Sequence, residues 1–195
     1  MRKSNVVKAM ACFMAATMAI TCVPSTNVTN GVSVVAEAAS LTDNPDGSQT
    51  LVGTGWWAEG MQQGKNYTLT GDGKVVLYVE AEDIPTDGAF NVELQNETYY
   101  FTTGSLKDAW TAGASGTVEN ASSGGILTKG HIYRITITRS GKDFTVEYYD
   151  DTAKEVYHTL TLKNSDFPEG DVNVHIMAQI GTYKVYQIDE TKTNP

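Results

Sequence analysis

Apolar and polar residues alternate at a period of two along most of the chain after Leu51. Val75, Leu77 and Val79 alternate within Lys74–Glu80, and Phe90, Val92 and Leu94 alternate with Asn91, Glu93 and Gln95. Tyr133, Ile135 and Ile137 oppose Arg134, Thr136 and Thr138, and Phe144, Val146 and Tyr148 repeat the pattern. Val172, Val174, Ile176, Ala178 and Ile180 continue it. A period of two puts one set of side chains on each face of an extended strand. No stretch keeps a 3.6-residue period for three turns. Further runs at Tyr67–Thr70, Thr98–Thr102, Val156–Leu162 and Tyr183–Ile188 bring the expected total to about nine strands. Gly71-Asp72-Gly73, Thr86-Asp87-Gly88, Ser140-Gly141, Asp150-Asp151 and Glu169-Gly170-Asp171 punctuate them with turn chemistry. Short strands joined by tight turns predict an all-β chain, an antiparallel β-sandwich of jelly-roll type.

Two stretches break the alternation. Ala39–Gln49 is polar and turn-rich and reads as a leader or linker, and Ser105–Gly125 reads as a long loop carrying Trp110. The first residues differ again. Met1-Arg2-Lys3 opens a basic stretch to Lys8, Ala9–Val23 is apolar, and Ala36-Glu37-Ala38 supplies a small-x-small cleavage pattern. This order describes a secretory signal, and the apolar run is short for a permanent span. The expected organisation is a signal over residues 1–38, a leader over 39–50 and one β-sandwich domain over 51–190, in a secreted or cell-surface-associated protein. Cys22 follows Ala19-Ile20-Thr21, a poor match to a lipid-attachment site.

Removing residues 1–38 changes the chemistry that remains. Both cysteines, Cys12 and Cys22, leave with the signal, so no disulfide, thiol nucleophile or Cys-based metal site is expected. About 150 residues bury an adequate core without such staples. The formal charge moves from −9 to −11, with eleven basic residues against twenty-two acidic. An acidic surface repels phosphate backbones and anionic lipid, which argues against nucleic-acid and membrane partners and favours a neutral one.

The three tryptophans are Trp56, Trp57 and Trp110, the first two within Gly53-Thr54-Gly55-Trp56-Trp57. Adjacent residues of an extended segment point to opposite faces, so Trp56 and Trp57 do not both enter a core. An exposed indole offers a flat apolar surface against which the C–H face of a sugar ring stacks, while amides and hydroxyls bond its rim. Ten tyrosines include the pairs Tyr99-Tyr100 and Tyr148-Tyr149, each with one member expected to face away from the core. The second face of the Val172–Ile180 run shows Asn173, His175, Met177 and Gln179, without charged carboxylate or ammonium groups. Asn91, Glu93 and Gln95 form a similar row. Such faces suit a hydroxyl-rich ligand, although a simple solvated face has the same composition.

Catalytic readings have less to stand on. Glu93 and Glu147 sit mid-strand, and a glycosidase needs two carboxyls across a cleft. His131, His158 and His175 lack metal-ligand spacing, and His158 alternates with core-type residues. The acidic groups Glu80-Glu82-Asp83, Asp150-Asp151 and Asp43-Asn44-Pro45-Asp46-Gly47 lack EF-hand spacing, so solvated charge is favoured over a structural calcium and no cofactor is expected.

Gly53-Thr54-Gly55-Trp56-Trp57, then Phe90-Asn91-Val92-Glu93-Leu94, then Tyr99-Tyr100-Phe101 and Asp108-Ala109-Trp110 resemble a group of β-jelly-roll carbohydrate-binding modules. These accompany glycoside hydrolases of fibre-degrading anaerobic bacteria. The resemblance covers Gly53 to Trp110, and the remainder matches in strand pattern alone. It implies non-catalytic binding of a β-glucan or xyloglucan type of polysaccharide, with Trp56, Trp57, Tyr99 or Tyr100, and Trp110 in contact. Alternation adds Gln95 and Gln179. The expected partners are the polysaccharide and a glycoside hydrolase or cell-surface complex. The alternatives are a small secreted jelly-roll hydrolase and a structural cell-surface sandwich without a glycan ligand.

Overall fold

The alternating runs pair into antiparallel ladders in a computed structural model that describes residues 38–56, 60–104, 109–112, 116–119 and 125–187. The expected signal lies outside these residues, apart from Ala38. The strands belong to the unit Glu37–Pro195. In chain order they are β1 (Ser40–Asp43), β2 (Gln49–Thr54), β3 (Gln62–Gln63), β4 (Tyr67–Thr70), β5 (Gly73–Asp83), β6 (Ala89–Gln95) and β7 (Tyr100–Gly104). They continue with β8 (Ala109–Ala112), β9 (Thr117–Glu119), β10 (Ile132–Ser140), β11 (Asp143–Asp150), β12 (Glu155–Lys163) and β13 (Asp171–Gln187). Among the described residues there is no helix.

The strands form an antiparallel β-sandwich whose two sheets share β13. The first part of β13, from Asp171 to Ala178, lies between β6 on one side and β4 with β3 on the other. Beyond β6 come β7 and β8, completing the smaller sheet. From Ile180 onward β13 pairs instead with β2 and β5. The larger sheet runs β1, β2, β13, β5, β10, β11, β12, β9. Hydrogen bonding therefore continues without interruption from one sheet to the other.

The switch is made at Gly181, whose φ is +114°. Pairing with β6 slips between Ala178 and Ile180, and pairing with β5 slips between Thr182 and Tyr183. These bulges flank the glycine and change which side chains enter the core. Val172, Val174, Ile176 and Ala178 are buried before it, and Tyr183 and Val185 after it. The Tyr183 hydroxyl donates to the Ile180 carbonyl at 2.9 Å, bracing the bend, and its ring packs 4.9 Å from that of Phe90.

The core fills the space between the sheets with Leu69, Phe90, Val92, Leu94 and Phe101 from one side and Leu77, Ile135, Phe144 and Val146 from the other. Each such side chain contributes roughly 1.5–3 kcal/mol of transfer free energy. Arg139 occupies a core-facing position at the end of β10. Its guanidinium donates to the carbonyls of Gly141, Pro168 and Gly170 and lies 5.2 Å from the Phe144 ring centroid. A buried cation is tolerable only when its donors are matched in this way.

Two expectations change. The stretch read as a leader enters the sheet: β1 and β2 form a hairpin closed by Asn44–Ser48, where Asn44 donates to Ser48 and Thr50 and Asp46 accepts from Ser48. Side chains from the turn therefore order a segment that is too polar to announce a strand. The stretch read as one long loop contributes β8 and β9, short edge strands held by β7 and β12. Their brevity leaves no readable periodicity.

Gly181→Ala is expected to cost about 1–3 kcal/mol in chemical denaturation, because an Ala there holds a rarely populated backbone conformation. Its Cβ would also stand 3.0 Å from the Asp83 carbonyl. Gly130→Ala, at φ +80° with open space around it, is the control and is expected to cost less.

Candidate functional site: the polar face of the smaller sheet

The side chains of the smaller sheet that turn away from the core fall into rows set by strand register. Tyr100, Gln95, Asn173 and Thr68 stand in one row across β7, β6, β13 and β4. Thr102, Glu93 and His175 form the next, and Asn91, Met177 and Gln63 the third. The two runs read from the sequence as neutral faces are thus adjacent strands of a single face. It is exposed at Asn173 and closes progressively toward Asn91, Met177 and Gln179, which are buried.

The centre of the face is organised around Glu93. Its Oε2 accepts a 3.0 Å hydrogen bond from the Thr102 hydroxyl, and its Oε1 lies 3.5 Å from His175 Nδ1. The Glu93 and His175 side chains are 17 % and 12 % exposed. A carboxylate so flanked keeps acceptor capacity for hydroxyl donors, and the adjoining amides offer both donors and acceptors. The site is fixed at one end by the β6–β7 turn. There Asn96 Oδ1 accepts from the backbone N–H groups of Thr98 and Tyr99, at 2.9 and 2.8 Å, setting Tyr100 opposite Gln95.

At the other end, Trp56 follows β2 on a turn fastened to β13. Gly55 N–H donates to the Gln179 carbonyl at 2.9 Å, and Thr54 N–H donates to the Gly60 carbonyl at 2.8 Å. The glycines of this segment serve close backbone approach: a Cβ on Gly53 would fall 2.4 Å from the Ala178 carbonyl oxygen. Trp56 is 47 % exposed, an unusual state for a large aromatic with a core so near. Trp57 lies outside the described residues. Of Trp110, the backbone register is described, opposite Thr102.

The remaining candidates separate. Tyr100 belongs to the polar face, whereas Tyr99 packs on the core, its ring 5.9 Å from that of Phe167. Gln95 is half-buried at the open row. Gln179 is 1 % exposed, and its carboxamide oxygen has no hydrogen-bond partner among the described residues. Alternation places Gln179 on the polar side, but it lies at the register shift between Ala178 and Ile180 and is buried, so it is not an open contact. His158 is buried beside Tyr148, and burial lowers its pKa. Glu147 stands on the outer face of the larger sheet, in register with Thr136 and Thr159. Glu93 and Glu147 therefore occupy opposite outer faces and do not oppose each other across a cleft. Thr102, Glu93 and His175 escaped selection as a group because their meeting depends on strand order.

The acidic groups weighed for calcium have other partners. Asp46 is held below the usual carboxylate range by Ser48 and Lys184, and Asp83 meets Lys129 at 2.6 Å. For Asp150, burial pushes the pKa up, but His131 and the N–H groups of Ala153 and Thr152 outweigh it and lower the value. A recess of about 470 Å³ lies beside Arg139, whose donors are directed at backbone carbonyls. No protein-family model matches the chain, and no curated protein matches it.

Thr102→Val removes the donor to Glu93 at a site with little water to replace it. The expected loss is about 1–2 kcal/mol by urea denaturation, with Thr102→Ser restoring most of it.

Proposed function

We propose that the protein binds a neutral plant cell-wall polysaccharide, of β-glucan or xyloglucan type, on the polar face of the smaller sheet and does so without catalysis. The observation that carries this reading is the joining of Tyr100, Gln95, Asn173 and Glu93 into one face, with exposed Trp56 following a turn tied to the strand at its end. A sugar ring needs both parts. Its C–H face requires an apolar plate, and its hydroxyls require groups that donate and accept at the rim. Tyr100 and Gln95 contribute to the open row, while Glu93, oriented by Thr102, adds a strong acceptor.

The overall negative charge supports a neutral ligand, since an anionic polymer would meet repulsion throughout its approach. The resemblance of Gly53-Thr54-Gly55-Trp56-Trp57 to carbohydrate-binding modules of jelly-roll type supports the same class of ligand. The basic and apolar N-terminal order supports secretion, and a glycoside hydrolase or cell-surface assembly is the fitting partner. Hydrolysis through Glu93 and Glu147 is disfavoured by their placement on opposite faces. Affinity from a single shallow site would be modest, and repeated encounters along a polymer would raise its effect.

Native affinity electrophoresis in gels containing xyloglucan, barley β-glucan, hydroxyethylcellulose, xylan or no polymer tests the reading. The expected outcome is retardation by at least one neutral polymer. Trp56→Ala is expected to weaken binding about tenfold, ~1.4 kcal/mol, without lowering the unfolding temperature. Retardation by none of the polymers would overturn the proposal.

A further inference from the structure

The outer face of the larger sheet carries an alignment unrelated to the polar face. Tyr186 on β13 pairs with Tyr78 on β5, Tyr78 with Arg134 on β10, Arg134 with Tyr149 on β11, and Tyr149 with Val156 on β12. The five positions form one line across five neighbouring strands, about 19 Å long at the usual strand spacing. The rings of Tyr186 and Tyr78 lie 5.6 Å apart and within 12° of parallel, and the Arg134 guanidinium carbon sits 4.7 Å from the Tyr149 ring centroid. Within each of these two pairs the planar groups pack on one another. Val156, 56 % exposed, ends the line.

Cross-strand packing accounts for a tyrosine pair. It does not require an arginine and a third tyrosine to extend the same line over further strands. On one side the neighbouring row holds Val76, Thr136, Glu147 and Thr159, with Thr138 and Thr145 beyond it, so hydroxyls lie along that side. On the other side stand Lys184, Glu80 and Ile132. On this face Lys184 stands in register with Glu80, and Arg134 and Glu147 lie in neighbouring rows. A line of planar groups with hydroxyls along one side complements a neutral, hydroxyl-rich polymer. It lacks the contiguous apolar centre that a second copy of the chain would need.

We propose that the Tyr186–Tyr78–Arg134–Tyr149 line is a second glycan-binding surface and that the protein bridges two polysaccharide chains. The class of ligand rests on the function proposed above, and the second surface is independent of it. The two outer faces lie on opposite sides of one core, so a chain on each is held by the same molecule. Bridging follows from this bivalency and requires no further contact.

Light scattering of dilute xyloglucan or barley β-glucan, whichever retards the protein, distinguishes the possibilities. Wild-type protein is expected to raise polymer scattering by about tenfold through bridging. Tyr78→Ala with Tyr186→Ala is expected to abolish that rise while gel retardation persists through the polar face. Tyr78→Phe with Tyr186→Phe keeps the stacked rings, guards against misfolding, and is expected to lose most of the rise with the hydroxyls. Retardation of wild type without bridging, or equal bridging by all three proteins, would overturn the second surface and leave the first reading intact. Scattering that rises in protein alone and vanishes in the variants would identify a protein interface and also overturn it. Absence of retardation in wild type would instead contradict the first reading.

Discussion

One strand, β13, hydrogen-bonds into both sheets, and the arrangement of every other strand depends on the bend at Gly181. Before the bend β13 has β6 and β4 as neighbours; after it, β2 and β5. An ordinary residue at φ +114° carries a backbone penalty, and a Cβ would press on the Asp83 carbonyl as well. The paired bulges beside the glycine convert an even-numbered buried set into an odd-numbered one. Without that conversion the aliphatic side of β13 would face water in one of the two sheets.

The same bend organises the surface chemistry. Asn173, His175 and Met177 turn outward in the first part of β13 because Val172, Val174 and Ile176 turn inward. After the bend, Lys184 and Tyr186 turn outward because Tyr183 and Val185 turn inward. A single strand thereby contributes to both outer faces of the sandwich. On the first, Asn91, Met177 and Gln179 are buried while Asn173 remains exposed, giving a sloping face with Glu93 near its middle. On the second, stacked planar groups lie in line. Thr102 and His175 flank the Glu93 carboxylate on the sloping face, and a carboxylate so little exposed is costly without such neighbours.

Periodicity made the strands legible wherever they were long and had one apolar face. Val75–Val79, Phe90–Leu94, Tyr133–Ile137 and Phe144–Tyr148 fall within strands that face as the alternation requires. The tyrosine pairs also split as adjacent strand residues must: Tyr148 is buried, and Tyr149 joins the outer row. Sequence could not reveal that Val172–Ile180 and Tyr183 onward are one strand, because Gly181 resembles a break between two. It also concealed β1, which is exposed throughout and held by pairing to β2. For the candidate site, residue chemistry was legible and neighbourhood was not. Asn91, Glu93 and Gln95 were readable as a row, as were Asn173, His175 and Met177. Their adjacency and the Thr102 contact arise from strand order, and the burial of Gln179 is not visible in alternation.

The most direct measurement is residue-resolved NMR of the protein titrated with a soluble xyloglucan or mixed-linkage β-glucan oligosaccharide. Binding at the polar face predicts saturable amide shifts in Asn91–Gln95, Tyr100–Thr102 and Asn173–Gln179, together with the Trp56 indole. Saturable binding that leaves all of these resonances unmoved would contradict the account.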